Sequence, residues 1–485
     1  MTKRSLVLLT VDCLRADHVG FQGYSHPVTP FLDSLATESV IFQQAIAAGV
    51  PTYFAFPAIL ASRYPLAYGR QVFGIAPGEP TIASALRDSG YATAALVAGN
   101  PYLSARFGYE QGFNAFRDFL ESAIPENTTS PRELPSNYLS RLNRILEAGS
   151  RRTRFSAALY SELLFWYGTW RSRRNNVAAD TLRRYPAADV MVDEACSWLR
   201  TVGDKNFFLW IHLMDPHHPH YPPPEALSAV GLSGITTRRM RFLNSFWNRR
   251  EIGPRRLQRY KDEIVELYDA GVYWVDRQIS RLAGCLRQLQ RWDDTVLAVT
   301  ADHGEEFLEH GARYHSPLNL PEELIHVPLL VRAPGVKSAR FCPGPFSLVH
   351  LAPTLLDAVG LPVPAAFQGR SFWPQIVAGS HASEAAISES VGTGENPSRP
   401  EERIRPRVMA VRGDQYKLVI HFADKKESLY DLKNDPNELS PLPCGSKINV
   451  RAQLLQRALH HLRQTRKDRN DLLALRARLR EIRQG

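Results

Sequence analysis

The stretch Thr300-Ala-Asp-His-Gly-Glu-Glu-Phe-Leu-Glu-His-Gly-Ala-Arg-Tyr-His315 decides how this 485-residue chain is read, because the apolar run Thr295 to Val299 stops abruptly at an Asp-His-Gly triplet. In open α/β sheets ligands sit just beyond the carboxyl ends of strands, so a carboxylate and an imidazole there can share a cation or an anion. Asp and Gly also end strands for purely conformational reasons, and the triplet alone does not choose between these readings. A second buried-type run, Ser5 to Val11, ends in Asp12 and continues Cys-Leu-Arg-Ala-Asp17. Two strands from opposite ends of the chain thus bring carboxylates to what reads as one edge of one sheet.

Between them runs a βαβ rhythm, the signature of a mostly parallel sheet covered on both faces. Thr29-Pro30 opens a helix to about Ala36, ahead of a strand near Val40 to Phe42. Thr81 to Asp88 reads as a helix and Ala92 to Val97 as a strand. Asp189 to Leu199 resumes as a helix, Phe207 to Leu213 is a strand, Asp262 to Leu289 a long helix, Val327 to Val331 a strand and Leu348 to Val359 a helix. Residues 390–406, rich in Gly, Ser, Pro and Glu, read as a linker. Val408 to Arg412 and Tyr416 to Phe422 form a hairpin by their Gly-Asp turn, with Leu429 to Leu432 a third strand. The fold class is therefore α/β: a three-layer αβα sandwich around a mixed, mostly parallel sheet, with a smaller C-terminal α+β subdomain. The expected division is 1–378, 379–445 and a tail, 446–485.

At 54.6 kDa the chain exceeds what one core usually supports. Its net charge of +10 is concentrated in the tail, where Arg451 to Gly485 holds nine Arg and one Lys against two Asp and one Glu. The near-neutral body argues against a nucleic-acid-binding core. Apolar spacing at Leu472, Leu475, Leu479 and Ile482 makes part of the tail a basic amphipathic helix. In 125–184 the rhythm lapses, and six arginines between Arg151 and Arg174 bracket an aromatic stretch. Such a segment packs on its own domain or lies against an anionic membrane surface, so peripheral membrane contact and homo-oligomer formation both stay open. Five scattered cysteines with no paired spacing suggest a reducing compartment, and a soluble, cytoplasmic protein is expected.

Two further stretches carry chemistry. Thr52 precedes an Ala/Ile/Leu helical run, which makes it an N-cap in the simplest reading; the same place puts its hydroxyl in the positive field of a helix N-terminus. Asp215-Pro-His217-His218-Pro-His220 sets three histidines between prolines at a strand end.

With these residues in hand the chain resembles the sulfatase branch of the alkaline phosphatase superfamily. The matching segments are Val11 to Asp17, Thr52 to Pro65, Met214 to His217, Leu267-Tyr-Asp, Thr300 to Gly304, Val327-Pro-Leu, Tyr416-Lys-Leu and Leu429 to Leu432. The resemblance implies Asp12, Thr52, Asp302 and His303 as ligands of one divalent cation, Ca²⁺, Mg²⁺ or Mn²⁺ ahead of Zn²⁺, since hard oxygen donors with one imidazole suit those ions. It implies Thr52 as nucleophile and His217 and His315 as contacts to an anionic ester substrate. No Asp-x-x-x-His pair of the two-zinc phosphatase type is present, although other histidines could supply a second ion. The chain departs from the family at Thr52-Tyr-Phe-Ala-Phe-Pro57, where sulfatases carry Cys-x-Pro-x-Arg with the Cys, or a Ser, oxidised to formylglycine. A hydrolase or transferase acting on phosphate or sulfate esters, phosphodiesters favoured, is expected. A sulfatase without formylglycine and an anion-binding protein without turnover are the alternatives, the latter because Ala55 and Phe56 remove polar groups beside Thr52.

Overall fold

The computed structural model describes residues 4–69, 72–120, 162, 179–249, 251–316, 320–380, 383–391, 406–464, 475, 476, 479 and 482. Its largest element is an eight-stranded sheet. The strands are β1 (Ser5–Val11), β2 (Val40–Ile46), β3 (Ala92–Val97), β4 (Ala115–Arg117), β5 (Phe207–Leu213), β6 (Thr295–Ala301), β9 (His326–Arg332) and β10 (Arg340–Ser347). Two short strands, β7 (Glu306–Phe307) and β8 (Arg313–Tyr314), pair separately. The spatial order is β10-β2-β9-β6-β1-β5-β3-β4, and β9 alone runs against the rest. Every residue of β1, β5 and β6 is buried, which is why these strands read as unbroken apolar runs rather than alternating ones.

One face is covered by α1 (Pro30–Ala36), α4 (Ala188–Val202) and the long α6 (Lys261–Gln288), with α5 (Thr237–Trp247) against α6. The other carries α2 (Thr52–Ala61), α3 (Ile82–Asp88) and α7 (Leu351–Ala358), in mutual contact. The C-terminal subdomain is an antiparallel meander of β11 (Ala386–Val391), β12 (Arg407–Arg412), β13 (Tyr416–His421) and β14 (Lys426–Asp431), packed under α8 (Ile448–Gln464).

Three expectations change. β11 runs two residues into the expected linker, to Val391, because its Ser-Glu-Ser polarity is matched by tertiary hydrogen bonds rather than by water; residues 392–405 lie outside the described residues. The described tail helix starts at Ile448, and Leu475 and Leu479 are buried with α8 in the C-terminal core, so these side chains are not available to lipid. Thr29 precedes Pro30 as foreseen, but its hydroxyl bonds Gly20 N and Asp33 instead of capping the helix. The arginine-flanked stretch 151–174 lies outside the described residues except Glu162, which pairs with Arg249 and Arg256. No helix among the described residues is long and apolar enough to cross a membrane.

Candidate active site

Asp12 follows the last residue of β1 and Asp302 the last of β6. Because Val11 pairs with Ala301, the two acids leave the sheet side by side, both fully buried. The glycine of the triplet is set by packing: a Cβ at Gly304 would lie 2.0 Å from the Glu323 carbonyl oxygen. His303 Nδ1 is 2.9 Å from Gly304 O. A carbonyl oxygen only accepts, so the proton sits on Nδ1 and the Nε2 lone pair faces Thr52 Oγ1 at 3.1 Å.

Thr52 is the first residue of α2, with Pro51 at the N-cap position. The expected N-cap role is therefore not taken. The hydroxyl turns instead toward His303 and toward Asp12 Oδ2, 3.5 Å away. Asp12 Oδ2 also accepts from Asn100 Nδ2 at 3.2 Å and from His212 Nε2 at 3.3 Å. His212 is fixed in turn by Thr10 Oγ1, 3.0 Å from its Nδ1, and Thr10 accepts from Trp210 Nε1.

Burial works against both acids, with opposite outcomes. At Asp12 it is outweighed by His217 and the His212 hydrogen bond, which hold the carboxyl well below its ordinary value. At Asp302 burial and the neighbouring Asp12 prevail and push it up to about 7. Asp302 Oδ2 has no hydrogen-bond partner among the described residues. An unsatisfied buried carboxylate oxygen, a second carboxylate and an imidazole lone pair form a site short of positive charge. These donors, with the Thr52 hydroxyl, fit a divalent cation of the hard type. Burial and His315 depress His303 to about 4, so the ring remains a neutral donor.

His217 and His315 join the site. His217 Nδ1 donates to His218 O at 2.6 Å, leaving Nε2 open, and burial lowers its pKa. His315 Nδ1 lies 3.1 Å from Glu305 Oε2. Burial opposes its protonation, but Glu305 more than offsets this and the pKa rises. The ligand atoms of Cys13, His217 and His315 lie within 4.8 Å of one another, as do those of Asp12, Cys13 and His303. Burial, Glu305 and Asp12 push the Cys13 thiol well above its ordinary value, which keeps it protonated. His310 pairs with Glu323, while His220 is held through its backbone by Asn244 and its Nδ1 is buried with no hydrogen-bond partner among the described residues. A cleft of about 760 Å³ opens over Thr52, Asn100, His217 and His315.

Residues 4–361 match the family model described as Sulfatase, and residues 312–465 that of the N-sulphoglucosamine sulphohydrolase C-terminal region. The chain belongs to the sulfatase family. Arylsulfatase K of Mus musculus is 27% identical over 283 residues, covering 51% of this chain and 48% of that protein. The chain thus spans about half the length of these curated relatives. Endo-4-O-sulfatase of Bacteroides thetaiotaomicron is 25% identical over 464 residues, 90% of this chain and 85% of that protein. The crystal structure of a phosphonate monoester hydrolase of Agrobacterium radiobacter shares the fold with a TM-score of 0.63 at 19% identity, covering 98% and 96% of the two chains.

Within the sulfatase family the departure at Thr52 to Pro57 has a structural counterpart. Phe56, where the signature has Arg, packs edge-on against His212 with ring centroids 5.0 Å apart, in a cluster with Trp210 and Tyr109. Sequence reasoning missed His212, Asn100 and Glu305. The signal for His212 was an imidazole one residue before the end of an otherwise apolar strand. For Asn100 it was a third strand, β3, followed after Ala98 by Gly99-Asn100-Pro101.

Proposed function

We propose that the protein is a metal-dependent ester hydrolase in which Thr52 Oγ1 attacks the central atom of an anionic ester, with phosphodiesters and phosphonate esters ahead of sulfates. One observation carries this reading: the Thr52 hydroxyl is buried at the first turn of α2, unspent on capping, 3.1 Å from a histidine lone pair and on the same cleft as His217 and His315. Asp12, Asp302, His303 and Thr52 would hold the cation. When bound, such an ion supplies charge neutralisation and a lowered pKa for the nucleophile's hydroxyl. His315, its imidazolium favoured by Glu305, presents an N–H to the ester oxygens, and His217 Nε2 is open to take or return a proton.

Phosphorus is favoured by how the covalent intermediate ends. A formylglycine hydrate carrying sulfate expels it by collapsing to the aldehyde, and a threonine ester has no such exit. Water, or an acceptor alcohol in a transferase, must attack the transferred group in line with Thr52 Oγ1, the usual route of phospho-enzymes. The sulfate reading is favoured by the curated relatives, both sulfatases. The test is kcat/KM for matched aryl phosphodiester, phosphonate, phosphomonoester and sulfate esters with added Mn²⁺, Mg²⁺ or Ca²⁺. The diester and phosphonate should lead, and Thr52→Ala should lower their turnover by on the order of 10³-fold or more. A sulfate ester turned over fastest, and lost in Thr52→Ala, would replace the phosphoryl assignment with a sulfuryl one. Ester turnover unchanged in Thr52→Ala would remove Thr52 as nucleophile.

A further inference from the structure

Cys13, just after Asp12, is buried among polar groups rather than in an apolar niche. Its Sγ lies 3.1 Å from Asp12 Oδ1, 3.6 Å from His315 Nδ1 and 3.9 Å from His303 Nδ1. The backbone that places it there has φ +62, and its carbonyl accepts from the Tyr268 hydroxyl at 2.9 Å. A free cysteine is ordinarily a small apolar packing residue, and these surroundings do not suit that role. The thiol stands between two sets of donors, and the histidine rings decide which one it completes. His303 turns toward the sulfur the nitrogen whose proton goes to Gly304 O, while its lone pair faces Thr52. Asp12, Thr52, Asp302 and His303 also give the first cation four donors without sulfur. On the other side the ligand atoms of Cys13, His217 and His315 lie within 4.8 Å of one another, and His217 Nε2 is open because Nδ1 donates to His218 O.

Bond lengths of about 2.3 Å to sulfur and about 2.0 Å to nitrogen set those two atoms about 3.6 Å apart on a tetrahedral Zn²⁺. Cys13 Sγ and His315 Nδ1 have that spacing. Glu305 Oε2, 3.1 Å from the same nitrogen, lets a thiolate and a carboxylate balance one divalent ion, as Asp12 and Asp302 do for the first. We propose that Cys13, His217 and His315 form a second metal site, of the Zn²⁺ type, beside the first cation. A sulfur with two imidazoles selects a borderline ion, whereas two carboxylates, a hydroxyl and one imidazole favour Mn²⁺, Mg²⁺ or Ca²⁺. The ion displaces the thiol proton and the proton that His315 shares with Glu305. It also occupies the two histidines that the hydrolase reading gives to the ester, so Zn²⁺ here blocks turnover. The blocking role rests on that reading; the site itself does not.

The binding probe is Co²⁺, which takes zinc-type sites and reports a bound sulfur by a near-ultraviolet charge-transfer band. Titration of the full chain should produce this band in the parent and in Asp302→Asn, and Zn²⁺ should abolish it. Cys13→Ser should show no band, and His315→Ala and His217→Ala should each weaken Co²⁺ binding at the sulfur on the order of tenfold or more. No band in the parent would overturn the site. A band kept in both histidine variants and lost in Asp302→Asn would also overturn it, by giving the thiol to the first cation. In the kinetic arm, Zn²⁺ added to the Mn²⁺-loaded protein should halve aryl phosphodiester turnover at a concentration about tenfold lower for the parent than for Cys13→Ser. Equal sensitivity would overturn the blocking role. A cobalt band with no ester turnover in any metal form would keep the site and remove the hydrolase reading. Turnover without a band would do the reverse.

Discussion

Asp302 Oδ2 is fully buried, stands beside a second carboxylate and accepts no hydrogen bond among the described residues. Without a cation this arrangement works against the fold, and with one it supplies affinity, so Asp302→Asn should move two measurements in opposite directions. Metal-free protein should gain about 1 kcal/mol of stability in urea denaturation, because a like-charge conflict is removed. Mn²⁺ affinity by calorimetry should fall at least on the order of tenfold. A variant that binds Mn²⁺ as tightly as the parent would take Asp302 out of the ligand set. At this scale Asp12, Asp302 and His303 were legible because two apolar runs from opposite ends of the chain both stop at an acid, a coincidence that strand termination alone does not explain. His212 was not, since a histidine inside Phe207–Leu213 reads as core until the neighbouring strand shows Asp12 to be its partner. The Thr52 hydroxyl was legible as lying at a helix N-terminus and misread in detail. The shift from N-cap to first helical residue depends on Pro51, whose fixed φ suits the position ahead of the helix as well as its first turn.

β11 ties the C-terminal subdomain to the segment that leads into α2. Ser388 Oγ donates to Ala47 O, Glu389 N to Ala48 O at 3.0 Å, and Ser390 Oγ to Val50 O at 2.8 Å. Gly49 has no room for a side chain, because a Cβ there would lie 2.8 Å from Glu389 O. The Glu389 carboxylate reaches Leu66 N beyond the far end of α2, and His461 Nε2 on α8 lies 3.2 Å from its other oxygen, with Arg407 at 3.7 Å. The strand thus holds the chain on both sides of the Thr52 helix. Burial opposes ionisation of Glu389, but Arg407 and His461 outweigh it and hold the carboxyl down to about 2. A folded value below the ordinary 4.5 means that this stability is complete above about pH 5 and is lost as pH falls toward 2. The contribution is on the order of 3 kcal/mol at neutral pH. Urea midpoints measured from pH 7 to pH 3 should fall for the parent, and Glu389→Gln should be less stable at pH 7 with a flatter acid limb. A variant whose acid limb matches the parent's would show that another carboxylate governs that range. The Gly-Asp turn made the β12–β13 hairpin readable from local chemistry, whereas Ser-Glu-Ser gave no local sign of burial because its partners lie more than 300 residues away.

Across the whole molecule, the parallel register of β1, β5 and β6 turns sequence distance into contact. Residues near 12, 52, 100, 217 and 302 meet at one sheet edge although they span most of the chain. The βαβ rhythm and the apolar runs conveyed this architecture in advance, because a buried parallel sheet has few alternatives for strands of that composition. Strand order and the reversed β9 were not readable, since both depend on which apolar faces meet rather than on any one segment. The account as a whole rests on Thr52 as the covalent centre, and the most direct measurement is peptide mass mapping after acid quench of the Mn²⁺-loaded protein during turnover of an aryl phosphodiester or phosphonate. The expected result is one phosphoryl or phosphonyl ester on the peptide carrying Thr52, absent from Thr52→Ala and from a chelated control. Turnover with an unmodified Thr52 peptide, or with the adduct on another residue, would contradict it.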